Sequence, residues 1–150
     1  MSTTRSVSLL VAAPAEQVWA AIADVTRMGE WSPECVAARW VGGATGPAVG
    51  AAFEGDNEAR MAGRVVKRWT TTSVVTACDP GREFAFVAEQ YTTWRYQLQT
   101  EGDRTRVTES FEYVASGLMG HLYDTVLMRP RLMTAGMQRT LERIKEALER

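Results

Sequence analysis

Residues 79–114 read DPGREFAFVAEQYTTWRYQLQTEGDRTRVTESFEYV, and this stretch decides the fold of the 150-residue chain. It contains three runs rich in β-branched and aromatic residues, at 82–89, 92–100 and 104–114, which are typical of strands. The breaks between them are short, and Glu101-Gly102-Asp103 has the chemistry of a turn. Parallel strands need a crossover of a dozen or more residues, so strands joined by such short breaks must pair antiparallel.

The same pattern extends toward the N-terminus. Further strands are predicted at 5–12, 36–42, 49–56 and 62–78. Turn residues, at Gly42-Gly43 and at Gly55-Asp56-Asn57, separate the last three of these. The six later strands therefore form an antiparallel meander that the first strand closes at one edge, and a parallel α/β sheet is excluded.

Two short helices are predicted directly after the first strand. Pro14 suits the first turn of a helix, and the apolar residues of 15–25 recur at spacings of three and four. The next segment, 28–34, is long enough for one further turn, on which Met28 and Trp31 share a face.

The last third of the chain has helical periodicity. The apolar residues that recur every three or four positions are Met133, Met137, Leu141, Ile144 and Leu148, with charged residues between them. This pattern predicts an amphipathic helix of roughly five turns. Pro130 separates it from an earlier series, Leu118, Leu122 and Val126, so we expect a kink or break there and a separate lead-in helix.

Composition and charge exclude several classes of function. The net charge is −1 and the basic residues form no run, so nucleic acid is not an expected partner. No stretch approaches the roughly 18 apolar residues of a membrane-spanning helix, which argues against stable membrane insertion. Cys35 and Cys78 lack the spacing of a zinc site or a disulfide framework and indicate buried free thiols. We therefore expect one soluble, cytoplasmic domain spanning residues 1–150.

Five stretches along the chain carry a resemblance to a known family. They are 14–19 (PAEQVW), 30–34 (EWSPE), 68–72 (RWTTT), 79–86 (DPGREFAF) and 105–110 (TRVTES). Together with the order of helices and strands, they resemble the polyketide cyclase/dehydrase branch of the START/Bet v 1-like (SRPBCC, helix-grip) superfamily. The resemblance spans nearly the whole chain.

The resemblance implies an α+β helix-grip fold. In that fold a curved seven-stranded antiparallel sheet wraps around a long C-terminal helix, with two short helices after the first strand. The family's internal cavity takes lipids, sterols, quinones, polyketide intermediates or plant hormones. A fold of this kind does not by itself fix a reaction, and the resemblance assigns no catalytic residues here.

Large apolar side chains are the candidates for lining such a cavity. Alternate residues of a strand face the same way, so Trp94 and Tyr96 share one face, as do Phe84 and Phe86. The candidate ligand-binding residues are Trp31, Phe53, Trp69, Phe86, Trp94, Tyr96, Phe111, Tyr113, Met133 and Met137. On 62–78, period two places Trp69, Thr71, Ser73, Val75 and Ala77 inward, unless a bulge swaps the faces. Core packing is the alternative role for each of them.

Glu109 is the candidate catalytic residue, with Tyr96 and Tyr113 beside it. On the 104–114 strand Glu109 shares the apolar face, and a carboxylate in such surroundings has a raised pKa and can exchange a proton. Arg64 is a further polar candidate. The alternative is structural: Glu109 pairs with an interior arginine such as Arg64 or Arg95.

His121 and Asp124 form a second candidate acid/base pair, because they lie three residues apart on a predicted helix. A structural role is the alternative for this single histidine. No other histidine or spaced carboxylates complete a metal site, and no nucleotide-binding or hydrolase motif is present. We therefore expect no metal and no cofactor.

Three functions follow from these observations. The first is binding of a small hydrophobic ligand in an internal cavity, as a carrier, sensor or modifying protein. The second is a polyketide aromatase/cyclase or dehydratase acting on a poly-β-keto intermediate. The third is a protein-interaction module, which predicts a solid core and an exposed apolar patch. The expected oligomeric state is a monomer or a homodimer.

Overall fold

The computed structural model describes residues 2–114 and 129–150. The strands are β1 (Ser2–Val11), β2 (Cys35–Val41), β3 (Ala52–Met61), β4 (Arg64–Asp79), β5 (Glu83–Ala88), β6 (Thr92–Glu101) and β7 (Arg104–Val114). The helices are α1 (Ala15–Ala23), α2 (Met28–Trp31) and α3 (Arg129–Leu148), with a single 3-10 turn, Val25–Arg27, between α1 and α2.

The seven strands form one sheet in the order β1-β7-β6-β5-β4-β3-β2, and every neighbouring pair is antiparallel. The predicted meander, closed at one edge by the first strand, is confirmed. The sheet curves around α3, which packs on β1 and β7. The fold is therefore the expected α+β helix-grip architecture.

The two short helices form where the sequence predicts them. Pro14 precedes α1 with φ −64°, and the indole Nε1 of Trp19 donates to the carbonyl oxygen of Glu83 at 2.8 Å, which ties α1 to β5. Helix α1 ends at Ala23 rather than at Val25, because Asp24 adopts extended backbone and its carboxylate accepts from the amide of Thr26 at 3.1 Å.

The C-terminal helix buries the predicted apolar stripe. Met133, Met137, Leu141 and Ile144 are buried, and Leu148 packs at the edge of the core. Pro130 lies in the first turn of α3, where a missing amide hydrogen costs no helical hydrogen bond. The predicted lead-in helix around Leu118, Leu122 and Val126 lies outside the described residues. No helix in the described ranges is long and apolar enough to cross a membrane.

The predicted turn at Gly55-Asp56-Asn57 is wrong. Strand β3 runs through it to Met61, and the chain reverses at Ala62 and Gly63, with φ of +53° and +79°. Gly55 serves packing instead: a Cβ there would lie 3.0 Å from Sγ of Cys35. The glycine therefore marks a close approach between β3 and β2, which sequence alone cannot distinguish from a turn.

The possible face swap within the long strand occurs. Ser73 and Val75 are buried as predicted, but the register of β4 against β5 shifts between Val75 and Ala77. After the shift, Cys78 rather than Ala77 packs against the core. The inward position predicted for Ala77 is wrong, because the bulge inserts one residue and reverses the alternation beyond it.

Candidate functional site

A row of directly paired residues crosses the inner face of the sheet at Glu109. Val7 of β1 is opposite Glu109 of β7, Glu109 is opposite Tyr96 of β6, and Tyr96 is opposite Phe84 of β5. Directly opposed residues of antiparallel strands project to the same face with Cβ atoms about 5 Å apart. The strand register therefore places the carboxyl of Glu109 beside the phenol of Tyr96 in the interior.

Glu109 is 4% exposed, and its Oε1 atom has no hydrogen-bond partner among the described residues. Burial raises the pKa of this carboxyl to about 8, although a hydrogen bond with Tyr96 acts in the opposite direction. A carboxyl with this pKa is mostly protonated at neutral pH and can donate as well as accept a proton.

Neither arginine suggested as a structural partner lies against Glu109. Arg95 projects from the other face of β6, where its guanidinium is paired with Glu83. Arg64 is exposed at the first position of β4. The arginine-paired alternative is therefore wrong, and the structure leaves Glu109 with Tyr96.

Tyr96 is 7% exposed, and its pKa lies well above the ordinary tyrosine value. Burial is the largest cause, followed by the negative charge of Glu109 and the hydrogen bond to it. The phenol therefore stays protonated and donates a hydrogen bond to the carboxyl of Glu109. Tyr113, the third candidate of this group, is buried on the same face four residues beyond Glu109 and stacks on Phe111 with ring centroids 5.8 Å apart.

Aromatic rings surround this pair. Phe53 packs edge-on against Phe86 at 5.0 Å between centroids, and Phe86 continues to Phe84 at 6.0 Å. On the other side Trp94 meets Phe111 at 5.6 Å. The polar pair thus lies between two aromatic groups.

The predicted ligand-binding residues divide into three sets. Trp31, Phe53, Phe86 and Tyr96 belong to the larger apolar cluster, against which the half-buried Trp94 packs. Phe111, Tyr113, Met133 and Met137 form the second cluster, contacted by Val7 and Trp94. Trp69 is apart from both: it is half-buried, and the Nζ of Lys67 lies 5.3 Å from its ring centroid. Their binding role stays a prediction.

Two buried residues that the sequence did not single out for the site are Cys35 of β2 and Asn57 of β3, the second of which hydrogen-bonds to Thr71 of β4. The Nδ2 atom of Asn57 donates to the hydroxyl of Thr71 at 3.1 Å, and the thiol of Cys35 donates to the carbonyl of Ala37 at 3.3 Å. Burial raises the pKa of Cys35 to about 11, so the thiol is a poor nucleophile at neutral pH.

Two grooves are lined by described residues. One, of about 520 Å³, lies between the start of α1 and the β4–β5 turn, and the other, of about 380 Å³, lies beside Asn57, Arg68 and Trp69. Neither is lined by Glu109 or Tyr96, so the internal cavity stays a prediction. The His121 and Asp124 pair lies outside the described residues. Within 2–114 and 129–150, no three His, Cys, Asp or Glu side chains are grouped to hold a metal ion.

Comparisons with known proteins agree with this architecture. The family described as polyketide cyclase/dehydrase and lipid transport matches residues 2–149. A polyketide-cyclase-like protein from Corynebacterium glutamicum, solved by NMR, is 32% identical, with 99% of this chain and 93% of that chain covered and a TM-score of 0.68. No curated protein sequence matches the chain.

Two crystal structures are similar in fold at lower identity. The di-domain ARO/CYC protein StfQ of the steffimycin biosynthetic pathway is 15% identical with a TM-score of 0.77, and the match covers 99% of this chain and 51% of that one. A protein from Chromobacterium violaceum is also 15% identical, with a TM-score of 0.71 over 98% of this chain and 97% of that one.

Proposed function

Because this chain belongs to the polyketide cyclase/dehydrase and lipid transport family, we propose that it binds a small hydrophobic molecule between the sheet and α3. A carbonyl or hydroxyl group of that molecule lies against Glu109 and Tyr96. The apolar part of the molecule contacts the second cluster, where Phe111 and Met137 supply a flat ring and a flexible thioether. Ligand sites of this kind combine mostly apolar walls with a few convergent polar groups.

The observation that carries this proposal is that the buried Oε1 atom of Glu109 has no hydrogen-bond partner among the described residues. A buried polar atom without a partner costs about 1–3 kcal/mol, so such atoms are uncommon in folded proteins. A ligand hydroxyl would donate to the ionised carboxylate, and a ligand carbonyl would accept from the protonated acid. Either contact supplies the missing hydrogen bond.

The test is ligand binding with a matched pair of variants. Native mass spectrometry of freshly purified protein should show a co-purified small molecule, and a panel of fatty acids and aromatic polyketides should raise the melting temperature. Glu109→Gln should lose most of that stabilisation. Glu112→Gln should keep it, because Glu112 lies on the exposed face of the same strand. The proposal fails if no bound molecule is found and no compound stabilises the wild-type protein.

A second candidate function is a cyclase or dehydratase, and the pKa of Glu109 near 8 favours it. A carboxyl that exchanges its proton near neutral pH suits an aldol or dehydration step. In a dehydration, the carboxylate would remove a proton from the carbon beside a carbonyl and, now a carboxylic acid, would deliver that proton to the β-hydroxyl, which would leave as water. Tyr96, released from Glu109 once that carboxylate has taken the proton, would donate its hydrogen bond to the developing enolate oxygen.

Product analysis with a poly-β-keto substrate separates the two functions. An enzyme should lose turnover in Glu109→Gln and keep it in Glu112→Gln. An unchanged product distribution in Glu109→Gln would rule out the acid/base role while leaving the binding proposal intact.

A further inference from the structure

The hairpin of β3 and β4 projects beyond the rest of the sheet. Strand β5 ends opposite Ser73, and β2 begins opposite Asn57, which pairs with Trp69. In the part of the chain that the structure describes, the hairpin beyond this pair is therefore only two-stranded. The register has four residue pairs beyond this point, which at about 3.3 Å each extend the hairpin by roughly 13 Å.

The projecting part, residues 58–68, is strongly cationic. It carries four cations, Arg60, Arg64, Lys67 and Arg68, against one carboxylate, Glu58, which leaves +3 in a chain whose net charge is −1. Arg60 and Arg68 both form salt bridges with Glu58, with N–O distances of 3.0 and 3.2 Å. Arg64, on the tip, is exposed.

The same tip exposes large apolar side chains. Met61 is 70% exposed and Val66 is 60% exposed. Three more exposed hydrophobic residues, Tyr91, Val114 and Leu132, lie at this end of the molecule. The register places them there: the β5–β6 turn and the end of β7 are adjacent, since Thr92 pairs with Tyr113, and Leu132 precedes Met133, which packs on β7.

Of the exposed large hydrophobic residues in the described ranges, Met61 and Val66 lie on the cationic hairpin itself, and Tyr91, Val114 and Leu132 lie toward the end of the sheet from which the hairpin projects. Scattered apolar residues on a surface need no explanation, whereas exposed apolar side chains among cations, as Met61 and Val66 are, are typical of a surface that meets a lipid bilayer. Trp69 lies at the base of the hairpin, and tryptophan is enriched at the interface between membrane and water.

We propose that the β3–β4 hairpin docks on an anionic phospholipid bilayer. Met61 and Val66 enter the boundary between head groups and acyl chains, and the guanidinium of Arg64 contacts lipid phosphates. Phosphates of a nucleic acid would attract the same cations, but they offer no apolar layer for Met61. Docking is peripheral, and it turns the end of the interior lined by Phe111, Tyr113 and Met133 toward the membrane.

Vesicle flotation with the full chain tests the proposal. The protein should bind vesicles of phosphatidylcholine mixed with phosphatidylglycerol, bind phosphatidylcholine alone much more weakly, and dissociate as salt is raised. Each removed cation should weaken binding about fivefold, so Arg64→Gln with Lys67→Gln should weaken it roughly 25-fold. The matched control, Arg82→Gln with Arg104→Gln, removes two exposed cations from the opposite end and should leave most of the binding.

A second set of variants tests how much the exposed apolar side chains contribute to vesicle binding. Met61→Ser with Val66→Ser should abolish most binding, whereas Val49→Ser, equally exposed at the opposite end, should not. Circular dichroism confirms that each variant is folded. Equal binding to neutral and anionic vesicles, equal loss in the control variants, or binding to double-stranded DNA without binding to vesicles would each overturn the proposal. Because these residues lie outside the interior, the result is independent of whether Glu109 contacts a ligand.

Discussion

The interior has two halves that meet at Glu109, and they differ in how their polar groups are satisfied. In the half toward α1, the hydroxyl of the fully buried Thr105 donates to the carbonyl of Ala13 at 2.7 Å, among residues such as Val107 and Ile144. In the other half, Glu109 is equally enclosed, yet one of its oxygens has no partner among the described residues. The first half therefore satisfies the buried hydroxyl of Thr105. The second half leaves one buried oxygen without a hydrogen bond, which costs folding free energy that a hydrogen bond from a ligand would restore.

Helix α3 shows the same division along its length. Its C-terminal part buries Leu141 and Ile144 in the larger cluster, where branched side chains have few rotamers. Its N-terminal part buries Met133 and Met137 against Phe111 and Tyr113. Unbranched thioethers adapt to neighbours of different shape, so the second half can change its packing more readily.

The largest expected effect compares one residue from each half. Phe84→Ala should lower the free energy of unfolding by about 4 kcal/mol, because Phe84 is fully buried and its removal leaves a cavity. Met133→Ala should cost nearer 2 kcal/mol, since the flexible second cluster can partly fill the space. Urea denaturation measures both. Equal losses would mean that the two halves are packed equally tightly and would remove this contrast.

The next effect is the pH dependence that Glu109 imposes. Its pKa is about 8 in the folded protein and near 4.5 when unfolded, so the folded state holds the extra proton between these values. The stability that Glu109 contributes is therefore fully present below pH 4.5 and is lost as pH rises to 8, by about 2.5 kcal/mol between pH 5 and pH 7. Glu109→Gln should remove this slope.

Surface carboxylates act in a different pH window and do not obscure the slope. Ion pairs lower the pKa of Glu30, Asp56, Glu58 and Glu101, so their contribution is lost only as pH falls below the ordinary carboxyl range. Glu112→Gln is the control and should keep the wild-type profile. A flat wild-type profile between pH 5 and pH 8 would show that Glu109 is ionised normally in the fold.

A somewhat smaller loss of stability is expected from a substitution at Gly29, where α2 lies very close to the backbone of β2. A Cβ at Gly29 would lie 2.2 Å from the carbonyl oxygen of Val36, so Gly29→Ala should cost about 2 kcal/mol in thermal unfolding. Gly46→Ala should be neutral, because nothing lies within 4 Å of a Cβ there. A neutral Gly29→Ala would mean that α2 moves freely relative to β2.

Much of the architecture was predictable from local chemistry. All seven strands and the buried face of α3 follow from periodicity, and Glu109 was recognised because it interrupts an apolar alternation between Val107 and Phe111. The end of β3 was not predictable, since Gly55 and Asn57 have turn chemistry and their actual role depends on Cys35 of another strand. Extending the period-two pattern from Phe53 would have placed both on the inner face.

The partner of Glu109 was beyond the sequence for a related reason. Period two assigns a face to Glu109, Tyr96 and Arg95 separately, but it does not say which residues of β6 and β7 are opposite each other. That depends on the register, which the turn at 102–103 fixes once the strands pair. Tyr96 rather than an arginine is opposite Glu109, so no guanidinium offsets burial, and burial raises the carboxyl's pKa even though the hydrogen bond with Tyr96 lowers it.

The smallest effect isolates this hydrogen bond. Tyr96→Phe removes the phenol that stabilises ionised Glu109, so the pKa of Glu109 should rise further above its present value near 8. The variant should lose about 1 kcal/mol at pH 5, where the acid is protonated, and about 2 kcal/mol at pH 9, where the bond is to a charged group. Tyr91→Phe, exposed at the β5–β6 turn, is the control and should change nothing. Equal losses at both pH values would show that Tyr96 only packs beside Glu109 and does not lower the pKa of its carboxyl.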